Sequence, residues 1–144
     1  MCDKEQEVKY SRSEAREQAF MLLFSKTFSD EPLDDMLVDN AALYEGGICG
    51  YAQAVLLGME AKQDEIDAEI TRFLKKGWSL SRISRVSLTI LRLAFYEIKY
   101  LDNIPDGVSA NEAVELAKKY SIDESGFVNG VLGSYIRSRE EAAQ

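Results

Sequence analysis

The sequence predicts an all-α protein, and three observations carry that expectation. Only 2 prolines and 9 glycines interrupt 144 residues, which leaves room for long helices. Apolar residues recur at helical spacing, as in Ile66, Ile70, Phe73 and Leu74. Between Leu80 and Leu101 neither glycine nor proline occurs. The β-branched residues there allow strands locally, but a run of that length favours helix.

Taken in order, residues 1–10 are charged and aperiodic and read as a flexible N-terminal arm. A helix then runs from Ser11 or Ser13 to about Phe28. Ala15, Ala19, Leu22 and Leu23 form its apolar face, widened by Phe20 and Phe24. Asp30–Asp35 reads as a turn and a helix start, because Pro32 and the neighbouring acids suit a first helical turn. Gly46-Gly47 is a break. One helix is expected from Ile48 to about Ala61 and a separate one over Asp64–Leu74. Lys75-Lys76-Gly77 closes the latter, with cations near the carbonyl end and glycine after it. The expected organisation is a single domain over residues 11–140, with helical subdomains of about 11–76 and 77–140.

Leu80–Leu101 is apolar on nearly every side, which places it in the middle of a core. Asn103–Gly107 ends it as a loop. Ser109 and Glu112 form an S-x-x-E pattern, read as a capping box for a helix presenting Ala113, Leu116, Ala117 and Tyr120. Ser121–Ser125 breaks that pattern, with Asp123 or Ser125 available to cap the last helix. Its apolar face is Phe127, Val128, Val131, Leu132 and Tyr135.

Composition narrows the function. With no histidine in the chain, Ser-His-Asp and Cys-His nucleophile systems and every His-containing zinc site are excluded. There is no GxxxxGK[ST] or GxGxxG phosphate loop, and no metal or cofactor is expected. Glu97 and Glu112 suggest acid/base chemistry only superficially, since a capping role accounts for Glu112; no catalytic residue is expected. Cys2 and Cys49 lack a CxxC spacing and are expected as thiols. No apolar run approaches 18 residues, and the charged N-terminus lacks the apolar block of a signal peptide. The reading is a cytoplasmic protein that does not enter membranes. A net charge of −8 argues against a chain that grips nucleic acid alone through a broad basic face. An acidic remainder suits a basic protein partner instead.

Local features nonetheless suggest an anion or nucleic-acid site. Arg12 and Arg16 share a helix face near a positive helix N-terminus, where a bound phosphate would offset the unfavourable charge placement. Two solvated arginines paired with Glu14 or Glu17 explain the same spacing. Lys9 and the helix-ending Lys118 and Lys119 could extend a basic patch. Phe127 opens a helix after a polar turn and suits either base stacking or a hydrophobic staple. Asn129 and Gly130 read as structural, the asparagine bonding across the hairpin and the glycine allowing close helix approach.

The string VSANEAVELAKKYSIDESGFVNGVLGS, residues 108–134, resembles the signature of the NusB transcription antitermination family. Trp78-Ser-Leu-Ser-Arg-Ile83, Ile90-Leu-Arg-Leu-Ala-Phe-Tyr-Glu97 and Ile104-Pro105 resemble the family's central helix and following loop. Ser11-Arg-Ser-Glu-Ala-Arg-Glu17 with Ala19 and Leu23 resembles its arginine-bearing first helix. The resemblance implies two packed three-helix subdomains and a non-enzymatic RNA-binding factor. With NusE, a small-subunit ribosomal protein, such a factor binds the boxA element of nascent ribosomal RNA and joins the RNA polymerase antitermination complex.

It also implies roles for particular residues. Lys9, Arg12, Arg16, Asp123 and Phe127 would contact single-stranded RNA, while Phe24, Arg85 and Ser87 would contact NusE. This chain departs from the family in four ways. Its first-helix basic run is sparse, the turn before Phe127 is one residue shorter than in many members, Gly126 stands where a lysine often precedes the phenylalanine, and Ser87-Leu88 replaces an acidic–basic pair. Alternative readings are a homodimer that masks its arginine site until a partner arrives, and a relative of the RNA-recruiting modules of RNA methyltransferases.

Overall fold

In the computed structural model, which describes residues 10–143, six α-helices follow one another. They are α1 (Arg12–Lys26), α2 (Leu33–Ala41), α3 (Gly50–Arg72), α4 (Arg85–Tyr100), α5 (Asp106–Tyr120) and α6 (Ser125–Ala142). Short 3-10 turns at Leu80–Arg82 and Ile122–Glu124 precede α4 and α6. The all-α class is the one the sequence predicts. The chain divides into two units between Ala61 and Lys62, so that α3 contributes to both. The Lys75–Gly77 turn lies inside the second unit.

In the first unit, Ser11 and Glu14 close a reciprocal cap on α1. The Ser11 hydroxyl accepts from the Glu14 N–H at 3.1 Å, and the Glu14 carboxylate accepts from the Ser11 N–H at 2.8 Å. Those bonds satisfy donors that a helix start leaves orphaned. They also hold the Glu14 carboxyl below its usual range, the bond from the Ser11 backbone first. Ala15, Ala19, Phe20, Leu22 and Leu23 are buried along the predicted face. Gln18 is buried among them, its side-chain oxygen accepting from the Cys49 N–H at 2.8 Å and its amide donating to the Gly47 carbonyl at 3.3 Å. Gly46 and Gly47 have φ of 85° and 75°, the left-handed region in which glycine carries no Cβ penalty. The Tyr10 hydroxyl donates to the carbonyls of Glu45 and Gly47 at 2.7 and 3.0 Å, so this last residue of the expected arm is tethered. Residues 1–9 of that arm, Lys9 and Cys2 included, lie outside the described residues. Cys49 is a buried thiol.

Two helices were expected between Ile48 and Leu74, and the structure has one, α3, of 23 residues. The reason is local. The junction Ala61-Lys-Gln-Asp64 contains no breaker, and once a helix is nucleated, good helix formers propagate it at little cost.

In the second unit α4, α5 and α6 pack against one another. Phe95 of α4 and Tyr135 of α6 lie parallel, 2° between planes and 4.1 Å between centroids, with Phe73 leaning on both. The Arg92 guanidinium forms a two-pronged pair with Asp67, at 2.8 and 2.9 Å, tying α4 to the end of α3. As its apolar periphery predicts, α4 is buried on most sides, and it carries Ser87, Thr89 and Glu97 into the interior.

Burial of Glu97 corrects the reading of Ser109. Helix α5 starts at Asp106, not after Ser109, so Ser109 and Glu112 form no capping box. Pro105 presets the entry with φ of −59°, and Asp106 places a negative charge at the positive helix end. Ser109, now one turn inside the helix and 1% exposed, donates its hydroxyl to the Glu97 carboxylate at 2.7 Å. A buried carboxylate needs such donors more than a helix start needs a second cap.

Candidate nucleic-acid interface

The residues singled out from the sequence fall into both units. Arg12, Arg16 and Phe24 belong to the first; Arg85, Ser87, Asp123 and Phe127 belong to the second.

Arg12 is the first residue of α1 and is exposed, whereas Arg16, one turn on, is only 6% exposed. The shared face expected of the two therefore has one accessible guanidinium. Burial follows from the helix: Arg16 stands between Ala15 and Gln18, which are both in the core. Phe24 is partly buried in an aromatic ladder, its ring 6.1 Å from Phe20 and 5.0 Å from Phe28, itself 62% exposed.

In the second unit the site forms where the α5–α6 hairpin meets the start of α4. Asp123 is exposed in the 3-10 turn Ile122–Glu124. Neither Asp123 nor Ser125 caps α6: no side chain does, and the Ser125 hydroxyl donates backwards to the Ile122 carbonyl at 3.0 Å. The 3-10 turn already directs the chain into the helix, which removes the need for a side-chain cap.

Glu124, which sequence reasoning passed over, is the positioning residue of this turn. Its Oε1 accepts the Ser84 hydroxyl at 2.6 Å and also the Ser87 hydroxyl. Those two bonds, Ser84's first, hold its carboxyl below the usual range. Ser84 in turn caps α4, accepting from the Ser87 N–H at 3.2 Å. The carboxylate thus sits at the positive end of α4 and staples the hairpin turn to it. Ser87, expected to contact a partner, is 0% exposed in this unit, and its hydroxyl donates to Glu124. Arg85, the first residue of α4, is exposed.

Phe127 departs from the apolar face predicted for α6. Val128, Val131, Leu132 and Tyr135 are buried, while Phe127 keeps part of its ring in solvent. Its neighbour is Trp78, centroid to centroid 6.1 Å, and Trp78 is 43% exposed. The Arg82 guanidinium lies 5.7 Å from the Trp78 ring. A faint sequence signal for this cluster is the one tryptophan, placed just after Lys75-Lys76-Gly77. An open groove of about 470 Å³ runs between α5 and α6, with Ala110, Asn111 and Val114 on one wall and Gly126 and Asn129 on the other. A Cβ added at Gly126 or Gly130 would meet nothing within 4 Å. The close helix approach expected at Gly130 is therefore absent, and Asn129 is exposed along the groove.

Among the described residues no group of three or more His, Cys, Asp or Glu is placed to hold a metal ion, and no helix is long and apolar enough to cross a membrane. An aromatic pair with a cation beside it and an exposed acid in the adjoining turn can stack on an unpaired base and accept hydrogen bonds from its edge.

The comparisons agree with this architecture. The sequence model of the NusB family matches residues 13–137. The transcription antitermination protein NusB of Lacticaseibacillus casei is 40% identical over 133 residues, covering 92% of this chain and 98% of that protein. Among solved structures, NusB of T. maritima superposes with a TM-score of 0.79 at 36% identity, covering 90% of this chain and 93% of that one. The antitermination factor NusB solved with NusE and double-stranded RNA superposes with a TM-score of 0.75 at 26% identity, covering 88% and 96%. On the match to residues 13–137 and the 40% identity over nearly its whole length, this chain belongs to the NusB family.

Proposed function

We propose that the chain is a non-enzymatic transcription antitermination factor that binds the boxA element of nascent ribosomal RNA together with NusE and joins the RNA polymerase antitermination complex. The observation that carries the reading is the half-open ring of Phe127 at the turn into α6, within a chain whose relatives include a NusB solved with NusE and RNA. Arg12 supplies a phosphate contact at the start of α1, and Asp123 accepts hydrogen bonds from base edges. Phe24 and Arg85 are the residues left to face NusE, since Ser87 is internal. The net charge of −8 opposes RNA binding by the chain alone. NusE, a basic partner, adds positive charge and prepays part of the ordering cost.

Fluorescence anisotropy of a labelled single-stranded boxA RNA tests the reading. Weak binding by the chain alone and much tighter binding with NusE are expected. Equal affinity with and without NusE would sink the cooperative reading. Arg12→Ala is expected to lower the salt slope by about one released counterion, because one exposed phosphate contact is lost.

A further inference from the structure

We propose that Trp78 is a second stacking surface for an unpaired RNA base, adjoining Phe127 and flanked by Arg82, Lys75 and Lys76 as phosphate contacts. The inference rests on the RNA-binding reading above and adds a residue and a recognition mode to it.

The placement is unusual for a structural tryptophan. Trp78 is 43% exposed, although indole is among the side chains that gain most from burial. It is not held there by a long apolar segment: it follows Gly77, whose φ of 88° only glycine adopts readily, and its N–H closes a turn on the Lys75 carbonyl at 2.9 Å. The turn therefore presents the indole instead of burying it. Phe127 backs it at 6.1 Å with planes 30° apart, so the two rings form one continuous aromatic surface at the turn into α6. Glu124, stapled to Ser84 and Ser87, fixes the spacing between the segments that carry the rings.

Three cations flank the indole in sequence. Lys75 and Lys76 precede it, both exposed, and Arg82 follows with its guanidinium 5.7 Å from the ring. Among the described residues none of the three has a carboxylate partner, while Arg72, Arg92, Lys99, Lys118 and Arg139 of the same unit all do. Unpaired cations beside exposed rings, in a chain of net charge −8, match a single strand whose bases stack and whose phosphates lie to the side. A duplex, its bases already stacked, leaves no base free for these rings.

The chain contains one tryptophan, so its emission reports on this site alone. The experiment titrates the full-length protein, with NusE present and lacking tryptophan or subtracted as a blank, with single-stranded boxA RNA. It follows indole emission and the anisotropy of an RNA label in parallel. Quenching that saturates together with the anisotropy is expected, with little quenching by the same sequence annealed into a duplex. Trp78→Leu is expected to weaken single-strand binding about tenfold or more, and Trp78→Phe to restore most of it. Arg82→Gln is expected to weaken binding less and to flatten the salt dependence by about one counterion. Saturating anisotropy with unchanged indole emission would overturn the Trp78 site and leave the RNA-binding reading standing. No anisotropy change with or without NusE would overturn that reading itself. If Trp78→Leu does not fold, the emission of the wild-type protein still decides the matter.

Discussion

Two aromatic pairs in the second unit differ in almost everything that burial controls. Phe95 and Tyr135 lie parallel at 4.1 Å and are 1% and 2% exposed. Trp78 and Phe127 stand 6.1 Å apart, tilted by 30°, with the indole 43% exposed. The first pair belongs to the core of the α4–α5–α6 bundle, where each ring excludes water and fixes helix spacing. The second sits at a rim, with the indole carried by the Gly77 turn and Phe127 on the first turn of α6. Similar side chains thus serve stability in one place and remain available for recognition in the other.

The largest effect is expected at the inner pair. Phe95→Ala should cost about 3–5 kcal/mol of stability, as a fully buried ring leaves a cavity that the bundle fills only in part. Urea denaturation followed by circular dichroism checks it. Phe127→Ala should reverse the balance: a loss of about 1–3 kcal/mol in RNA affinity with a smaller change in unfolding free energy. A stability loss as large as that of Phe95→Ala would place Phe127 with the core and erase the distinction between the pairs.

Glu124→Ala tests what holds the outer pair in position. After allowance for solvent screening, losing the two serine bonds should cost about 1 kcal/mol. RNA affinity should fall although Glu124 itself contacts no RNA in this reading. Unchanged affinity would mean that the turn keeps its geometry without the staple.

The smallest effect is one of pH. Folding lowers the carboxyl of Glu124, chiefly through the bond from Ser84, and so favours its ionised form. Its contribution is therefore complete above the unfolded carboxyl value, about 4.3, and is lost as pH falls through the lower folded value. The difference in Tm between wild type and Glu124→Ala should be constant near neutrality and shrink below about pH 4. A difference that persists undiminished at pH 2 would assign the loss to packing instead of the ionised staple.

Much of this molecule was legible because helices are written locally. The face of α1, the Gly46-Gly47 break, the all-round apolar character of α4 and the buried stripe Val128, Val131, Leu132 and Tyr135 all follow from spacing. The family motifs were equally local, being short strings in a fixed order. Where the reading failed, a local signal met a tertiary demand. Ser11 and Ser109 each head an S-x-x-E pattern, yet only Ser11 caps a helix. Ser109 is drawn to Glu97, a neighbour 12 positions away that no local rule identifies. The resemblance implies a partner contact for Ser87, and its hydroxyl turns inward to Glu124, 37 positions on.

What the sequence by itself determined was the all-α class, most helix faces and the family, since these depend on residue order within a turn or two of helix. What only the tertiary structure decided was access: that Arg12 is exposed and Arg16 is not, that Phe127 leaves the apolar face of α6, and that Trp78 stands beside it. Exposure is set by which distant segment covers a side chain. Trp78 and Phe127 lie on opposite sides of the α4–α5 hairpin in sequence, and only the packing of α4 against α5 and α6 brings their segments to one rim.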